Sequence, residues 1–143
     1  MNARVLAHLI INFAIGLNRP VSNLMLQKLM YFCQLSYYRH ENRRLITDCD
    51  FEAWLFGPVI RDVYIDYCMY GSNRIISAPE EDAVLPDCVR HTLTVWLDRR
   101  PWEMVQVSHR DGGAWRTNYI EGQKRIIPDA DIRLEALNYV DPI

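Results

Sequence analysis

The sequence predicts a mainly α fold, a compact bundle of about five to six helices in one domain spanning residues 1–143, with a small β-hairpin or edge strand. Three observations lead there. Apolar residues recur at helical spacing over most of the chain, proline and glycine punctuate the stretches between, and one short run around Phe51 alternates as a strand does. A chain of 143 residues buries enough surface to stand without disulfides or metal.

The first helix shows in Leu6, Leu9, Ile10 and Phe13, with Gly16 where a left-handed terminus suits a residue lacking Cβ. After a turn through Asn18 and Pro20, Ser22 is placed to cap a second helix, and Val21 and Leu26 hold the positions of a hydrophobic staple. From Leu24 to Tyr38 that helix is apolar on nearly every side, with Gln27, Lys28, Gln34 and Ser36 left to face water. A helix of this composition belongs at the centre of the fold.

Arg39 to Asp50 is polar, and a hairpin involving Arg44 to Thr47 is compatible with the strand-like run from Phe51 to Phe56. Gly57 and Pro58 are expected to start a third helix, since proline at the first helical position sacrifices no hydrogen bond. Val59, Val63, Tyr67 and Tyr70 give that helix its apolar face, and Gly71 ends it. Val89, Leu93 and Trp96 mark a fourth helix, entered from an acidic loop at Glu80, Glu81 and Asp82. Pro101 opens a short fifth. The Gly112–Gly113 pair breaks the chain between His109 and Trp115, Lys124 to Ile127 can pair as an edge strand, and Pro128 starts a last helix. Asp129 and Asp131 in its first turn complement the helix dipole.

Composition narrows the function classes. A formal net charge of -2 argues against nucleic acid as the partner, because affinity for a polyanion comes mainly from clustered Lys and Arg. Cys33, Cys49, Cys68 and Cys88 form no C-x-x-C pair, which favours reduced thiols and a cytoplasmic location. Val5 to Leu17 has the apolarity of a secretory signal, but His8 and Asn12 interrupt it and cleavage would strip a helix the core needs. No run reaches the roughly 18 apolar residues that span a bilayer.

Catalytic arrangements find little support. His109 with Ser108 beside it and Asp111 nearby invites a hydrolase reading, with Ser108 or Cys33 as nucleophile, yet there is no G-x-S-x-G elbow and Cys33 lies in the most apolar helix. His109 is read instead as a brace across the break before Trp115, whose indole N–H requires an acceptor. His8, His40, His91 and His109 occur singly, so no metal or other cofactor is expected. The first two helices imitate a helix-turn-helix, but the second lacks the exposed row of base-reading side chains.

Two segments together resemble a known family. Ser22 to Gln34 (SNLMLQKLMYFCQ) is similar to the LQKLLYFAQ-type helix of the Panacea antitoxin domain, a group that includes SocA-like and GepA-like phage-associated proteins. Phe51 to Gly71 is similar to its AW-x-x-GPV turn with closing Tyr-Gly, and Val107, Ser108, His109 and Trp115 to its LSH and Trp element. Ile127 and Pro128 resemble its terminal IP turn, so the likeness runs in order from about residue 5 to 137. Met25, Met30 and Cys33 depart from the Lys, Leu and Ala usual there, Arg61 stands near a common proline, and Arg110 to Ala114 is glycine-rich.

The resemblance implies a non-enzymatic antitoxin that neutralises a cognate protein toxin by contact, in some systems also delivering it to an AAA+ protease. It leaves room for a homo-oligomer. The expected partner face comprises Gln27, Lys28 and Tyr31 along an exposed edge of the second helix, the turn of Trp54, Phe56, Gly57, Pro58 and Val59, and the loop from His109 to Trp115. A prophage regulatory or nucleic-acid-associated protein, and a small hydrolase using His109, are the alternatives.

Overall fold

The computed structural model describes residues 1–142 and is mainly α, with a small antiparallel sheet, as the sequence predicts. In chain order come α1 (Ala3–Gly16), α2 (Asn23–Glu41), β1 (Glu52–Trp54), β2 (Gly57–Val59) and α3 (Arg61–Tyr67). These are followed by α4 (Asp87–Trp96), α5 (Pro101–Ser108), α6 (Ala114–Asn118), β3 (Arg125–Ile126) and α7 (Asp129–Ala136). The sheet has the order β2-β1-β3. Among the described residues no helix is long and apolar enough to cross a membrane.

The core is built around α2. Ser22 caps it, its side chain accepting from the Met25 amide at 3.3 Å, while Val21 and Leu26 are both buried as the staple requires. α1 lies against it through Leu6, Ala7, Ile10, Ile11 and Ala14, a stripe rotated slightly from the expected one, so that Leu9 and Phe13 are only half-buried. On the other side Phe32 stacks on Trp96 of α4 at 4.2 Å, and the Trp96 indole donates to the Tyr139 hydroxyl at 2.8 Å. One aromatic sandwich thus joins α2, α4 and the chain beyond α7.

Several local expectations are corrected. The left-handed residue after α1 is Asn18 (φ 58°), not Gly16, because Gly16 is still helical and Leu17 caps the helix, and Asn tolerates this torsion. Gly57 and Pro58 do not begin a helix. They form β2, pairing Gly57 with Trp54 and Pro58 with Ala53, and α3 starts only at Arg61. Pro58 fits a strand because its missing N–H lies on an edge. The hairpin is therefore β1 with β2, and Arg44 to Thr47 contributes no strand; β3 covers the other edge of β1 through Glu52 and Ala53. The five-residue α6 after Gly113 lies below the length at which helical periodicity can be read.

The largest correction concerns the polar side chains of α2. Gln27, Lys28, Gln34 and Ser36 do not face water, and Tyr31 is not part of an exposed edge; all five are buried. The physical reason is that the segments packed on α2 are irregular and present unpaired backbone groups. Gln27 Oε1 accepts from the Ile60 amide, Lys28 Nζ donates to the Pro58 carbonyl and Gln34 Oε1 accepts from the Ile46 amide.

Candidate functional site

The hairpin turns tightly at Leu55 and Phe56, the two residues between Trp54 and Gly57 in the register. Neither has positive φ, and the left-handed torsion falls on Gly57 at 121°. A loop this short has no room to fold its side chains back. Leu55 is 60% exposed and Phe56 56% exposed, two apolar side chains held in solvent. Alternation places Phe51 and Ala53 in the core, but Leu55 leaves their side because the turn begins there.

The frame beneath the turn is stiff on three sides. From α2, Lys28 Nζ reaches the Pro58 carbonyl at 2.8 Å and Gln27 holds the Ile60 amide at 2.9 Å. Gln27 is itself fixed by Asn23 Oδ1, whose amide nitrogen donates to the Tyr64 carbonyl of α3 at 3.0 Å. From α5, the Ser108 hydroxyl sits against Gly57 and donates to the Val105 carbonyl at 2.8 Å. From α6, the Trp115 indole donates to the Trp54 carbonyl at 2.7 Å. The acceptor that Trp115 was expected to need is therefore the hairpin itself.

His109 braces this arrangement as predicted for the break before Trp115. Its ring stacks on Trp115 at 3.5 Å and 2°, and Trp115 in turn stacks on Tyr119 at 4.6 Å. Burial, with the positive charges of Lys28 and Arg116, pushes the His109 imidazole down to about 4. The hydrolase alternative finds no assembled triad here. The Ser108 hydroxyl is committed to a carbonyl, Asp111 points outward to Arg116, and burial raises the Cys33 thiol well above its ordinary value.

The low His109 value has a consequence for acid stability. The native imidazole takes up its proton near pH 4 while the unfolded one does so near 6.5, so between these values the unfolded state binds more protons and acidification destabilises. We expect the urea midpoint to fall less between pH 6.5 and 4.5 in His109→Phe, which keeps a ring on Trp115, than in the wild type. Equal losses in the two proteins would remove His109 from the explanation.

Trp54 forms the other wall. Its indole donates to Glu52 at 3.1 Å, Tyr64 meets its ring edge-on at 4.9 Å, and Lys124 Nζ lies 4.2 Å above the ring centre. Glu52 also binds Arg61 through two guanidinium contacts; although burial opposes it, the hydrogen bonds from Arg61 and Trp54 hold the Glu52 carboxyl below its ordinary value. Of the ten residues expected at the partner face, Trp54, Phe56, Gly57, Pro58, Val59, His109 and Trp115 meet at this hairpin, but Gly57, Pro58, Val59 and Trp115 are buried because the pairing of β1 with β2 and the packing on α2, α5 and α6 cover them, which leaves Phe56 outermost. Gln27 and Lys28 lie beneath it as supports.

Tyr31 belongs to a different cluster. Its hydroxyl donates to Glu135 of α7 at 2.5 Å, and the same carboxylate accepts from the Ala114 amide at 2.8 Å and pairs with Arg110 at 3.0 Å. Glu135 thereby ties α2 and α7 to the start of α6 and so fixes Trp115. Glu135 belongs to none of the motifs legible in the sequence. Its position between Ile132 and Ala136 on the inward face of α7 is the signal that marks a buried carboxylate.

Comparison with known proteins bears on this geometry. Residues 26–116 match the family described as "Antitoxin SocA-like, Panacea domain". The chain is also 32% identical over 130 residues to Antitoxin SocA of Caulobacter vibrioides (strain NA1000 / CB15N), covering 80% of this chain and 69% of that protein. The chain belongs to the SocA-like Panacea family. No solved structure matches it. The matched Panacea segment contains α2 from Leu26 onward, the hairpin, His109 and Trp115, whereas Lys124 and Glu135 lie beyond it.

Proposed function

We propose that this Panacea domain is an antitoxin that binds a separately encoded protein toxin by direct contact through the hairpin surface, without catalysing a reaction. Membership of the SocA-like family supports the antitoxin role. The observation that carries the choice of surface is the exposed Leu55–Phe56 tip, two apolar side chains held on a frame fastened by α2, α5 and α6. Rigid apolar anchors lose little entropy on binding, and such positions dominate interface energetics. A stable pairing needs about 800 Å² from each partner. Delivery of the bound toxin to an AAA+ protease would use the same contact to hold the cargo.

The test pairs genetics with purification. The gene adjacent to this one is expressed alone and together with it; growth arrest relieved only by co-expression, with co-purification of both products, is the expected result. A Leu55→Asp/Phe56→Asp double variant should keep the wild-type melting temperature and lose on the order of a hundredfold in affinity, as central anchors do. Full rescue and co-purification by that variant would refute the hairpin as the binding surface.

A further inference from the structure

Beside the hairpin tip lies a groove of about 330 Å³ between α2, the hairpin and α3. Leu24, Trp54, Phe56 and Tyr64 wall it, and Cys68 stands at its rim. Its size is at the lower end of the ~300–1,000 Å³ typical of ligand pockets, enough for one or two side chains rather than a large cofactor.

An exposed cation, Lys124, lies against one wall of this apolar recess. Lys28 lies wholly buried beneath it and Lys124 lies on the exposed side of Trp54, and among the described residues neither makes an ion pair. Of the carboxylates in this region, Asp66 pairs with Arg4, and Glu52 pairs with Arg61 and accepts from the Trp54 indole while also feeling the charge of Lys124. A positive field in a low-dielectric recess attracts an anion more strongly than the same charge in open water.

Resting on the toxin-binding reading above, we propose that this groove receives a segment of the partner polypeptide carrying a large apolar side chain next to an acidic one, the carboxylate settling against Lys124 above Trp54. The apolar walls account for the first group and Lys124, the exposed cation lying over the Trp54 wall, for the second. A nucleic-acid strand fits poorly, since polyanion binding needs a row of accessible cations, whereas the cations over the Trp54 ring are Lys124 and an Arg61 already paired to Glu52. A membrane surface likewise needs a broad apolar face rather than a recess of this volume.

Selection from a phage-displayed library of random peptides, twelve residues long, on the full chain tests the proposal, with counter-selection on the Leu55→Asp/Phe56→Asp variant. The expected consensus is Leu, Met or Phe within two positions of Asp or Glu. Repeating the selection on Lys124→Glu, an exposed substitution, should replace the acidic residue by Lys or Arg. A synthetic peptide of the first consensus should bind that variant about fivefold more weakly by fluorescence anisotropy. Failure to enrich a consensus, enrichment without an acidic residue, an unchanged preference on Lys124→Glu, or self-association that occupies the groove would each overturn the proposal. The two readings fail separately. Rescue that survives in the double variant sinks toxin binding by the hairpin, whereas lost rescue there with acid-free peptides sinks only the present inference.

Discussion

Gly57→Val should destabilise the protein by about 3 kcal/mol or more, combining backbone strain of roughly 1–3 kcal/mol with overpacking of similar size. At φ 121° a side chain is disfavoured whatever the space around it, and a Cβ here would lie 2.7 Å from Lys28 Cε and 2.7 Å from Ser108 Oγ. Lys28 cannot retreat without giving up the Pro58 carbonyl, and Ser108 is held by the Val105 carbonyl. The hairpin must lift instead. At about 3 °C per kcal/mol for a domain of this size, the melting temperature should drop by about 10 °C. Gly71→Ala is the comparison, because Gly71 also has a positive φ (59°, with ψ -126°) but meets nothing within 4 Å, so only a torsional cost of roughly 1–3 kcal/mol applies, without the overpacking. Equal losses at the two sites would mean that the close approach to Lys28 and Ser108 is not what demands glycine at 57.

The second large effect is a pH dependence seated in Lys28. Complete burial pushes its ammonium down from 10.5 to about 7. Between these values the unfolded chain holds a proton on Lys28 that the native one has released, so this group makes stability rise with pH. Below about 7 both states are protonated and the full penalty of a buried cation applies. A slope of up to about 1.4 kcal/mol per pH unit follows while the native amine is neutral. Burial raises Tyr31 and Cys33, which act in the opposite sense once their unfolded counterparts ionise. The comparison with Lys28→Met isolates the lysine. Urea unfolding of the two proteins at pH 6.5 and pH 8.5 should show the variant's advantage shrinking, or its deficit growing, by about 2 kcal/mol as pH rises. Parallel profiles would show that the amine titrates normally.

Much of the fold is legible in the chain because it rests on local chemistry. The cap at Ser22, the staple of Val21 and Leu26, the apolar spacing of α4 and the acidic first turn of α7 each act within a few residues of themselves. The candidate site was legible only in part. Trp54, Phe56, Gly57, Pro58, Val59, His109 and Trp115 do lie together around one hairpin, but Gly57, Pro58, Val59 and Trp115 are buried there, as are Gln27, Lys28 and Tyr31, so only part of the expected face is surface. Residue polarity alone cannot distinguish a solvated lysine from one that satisfies a buried carbonyl, since the acceptor is Pro58, thirty positions away. Glu135 escaped notice for the same reason, its partners Tyr31 and Ala114 being distant in the chain.

By itself the sequence determined the helical class, the family and the central place of α2, because helix caps, apolar periods and short motifs are properties of neighbouring residues. Tertiary structure alone decided that Gly57 and Pro58 build a strand, that the polar row of α2 turns inward, and that Leu55 and Phe56 stand in solvent. The strand and its exposed tip depend on the pairing of β1 with β2 across a two-residue turn, and the inward polar row depends on which interior backbone groups other segments leave unpaired, since such a group draws whatever polar side chain the packing brings within reach.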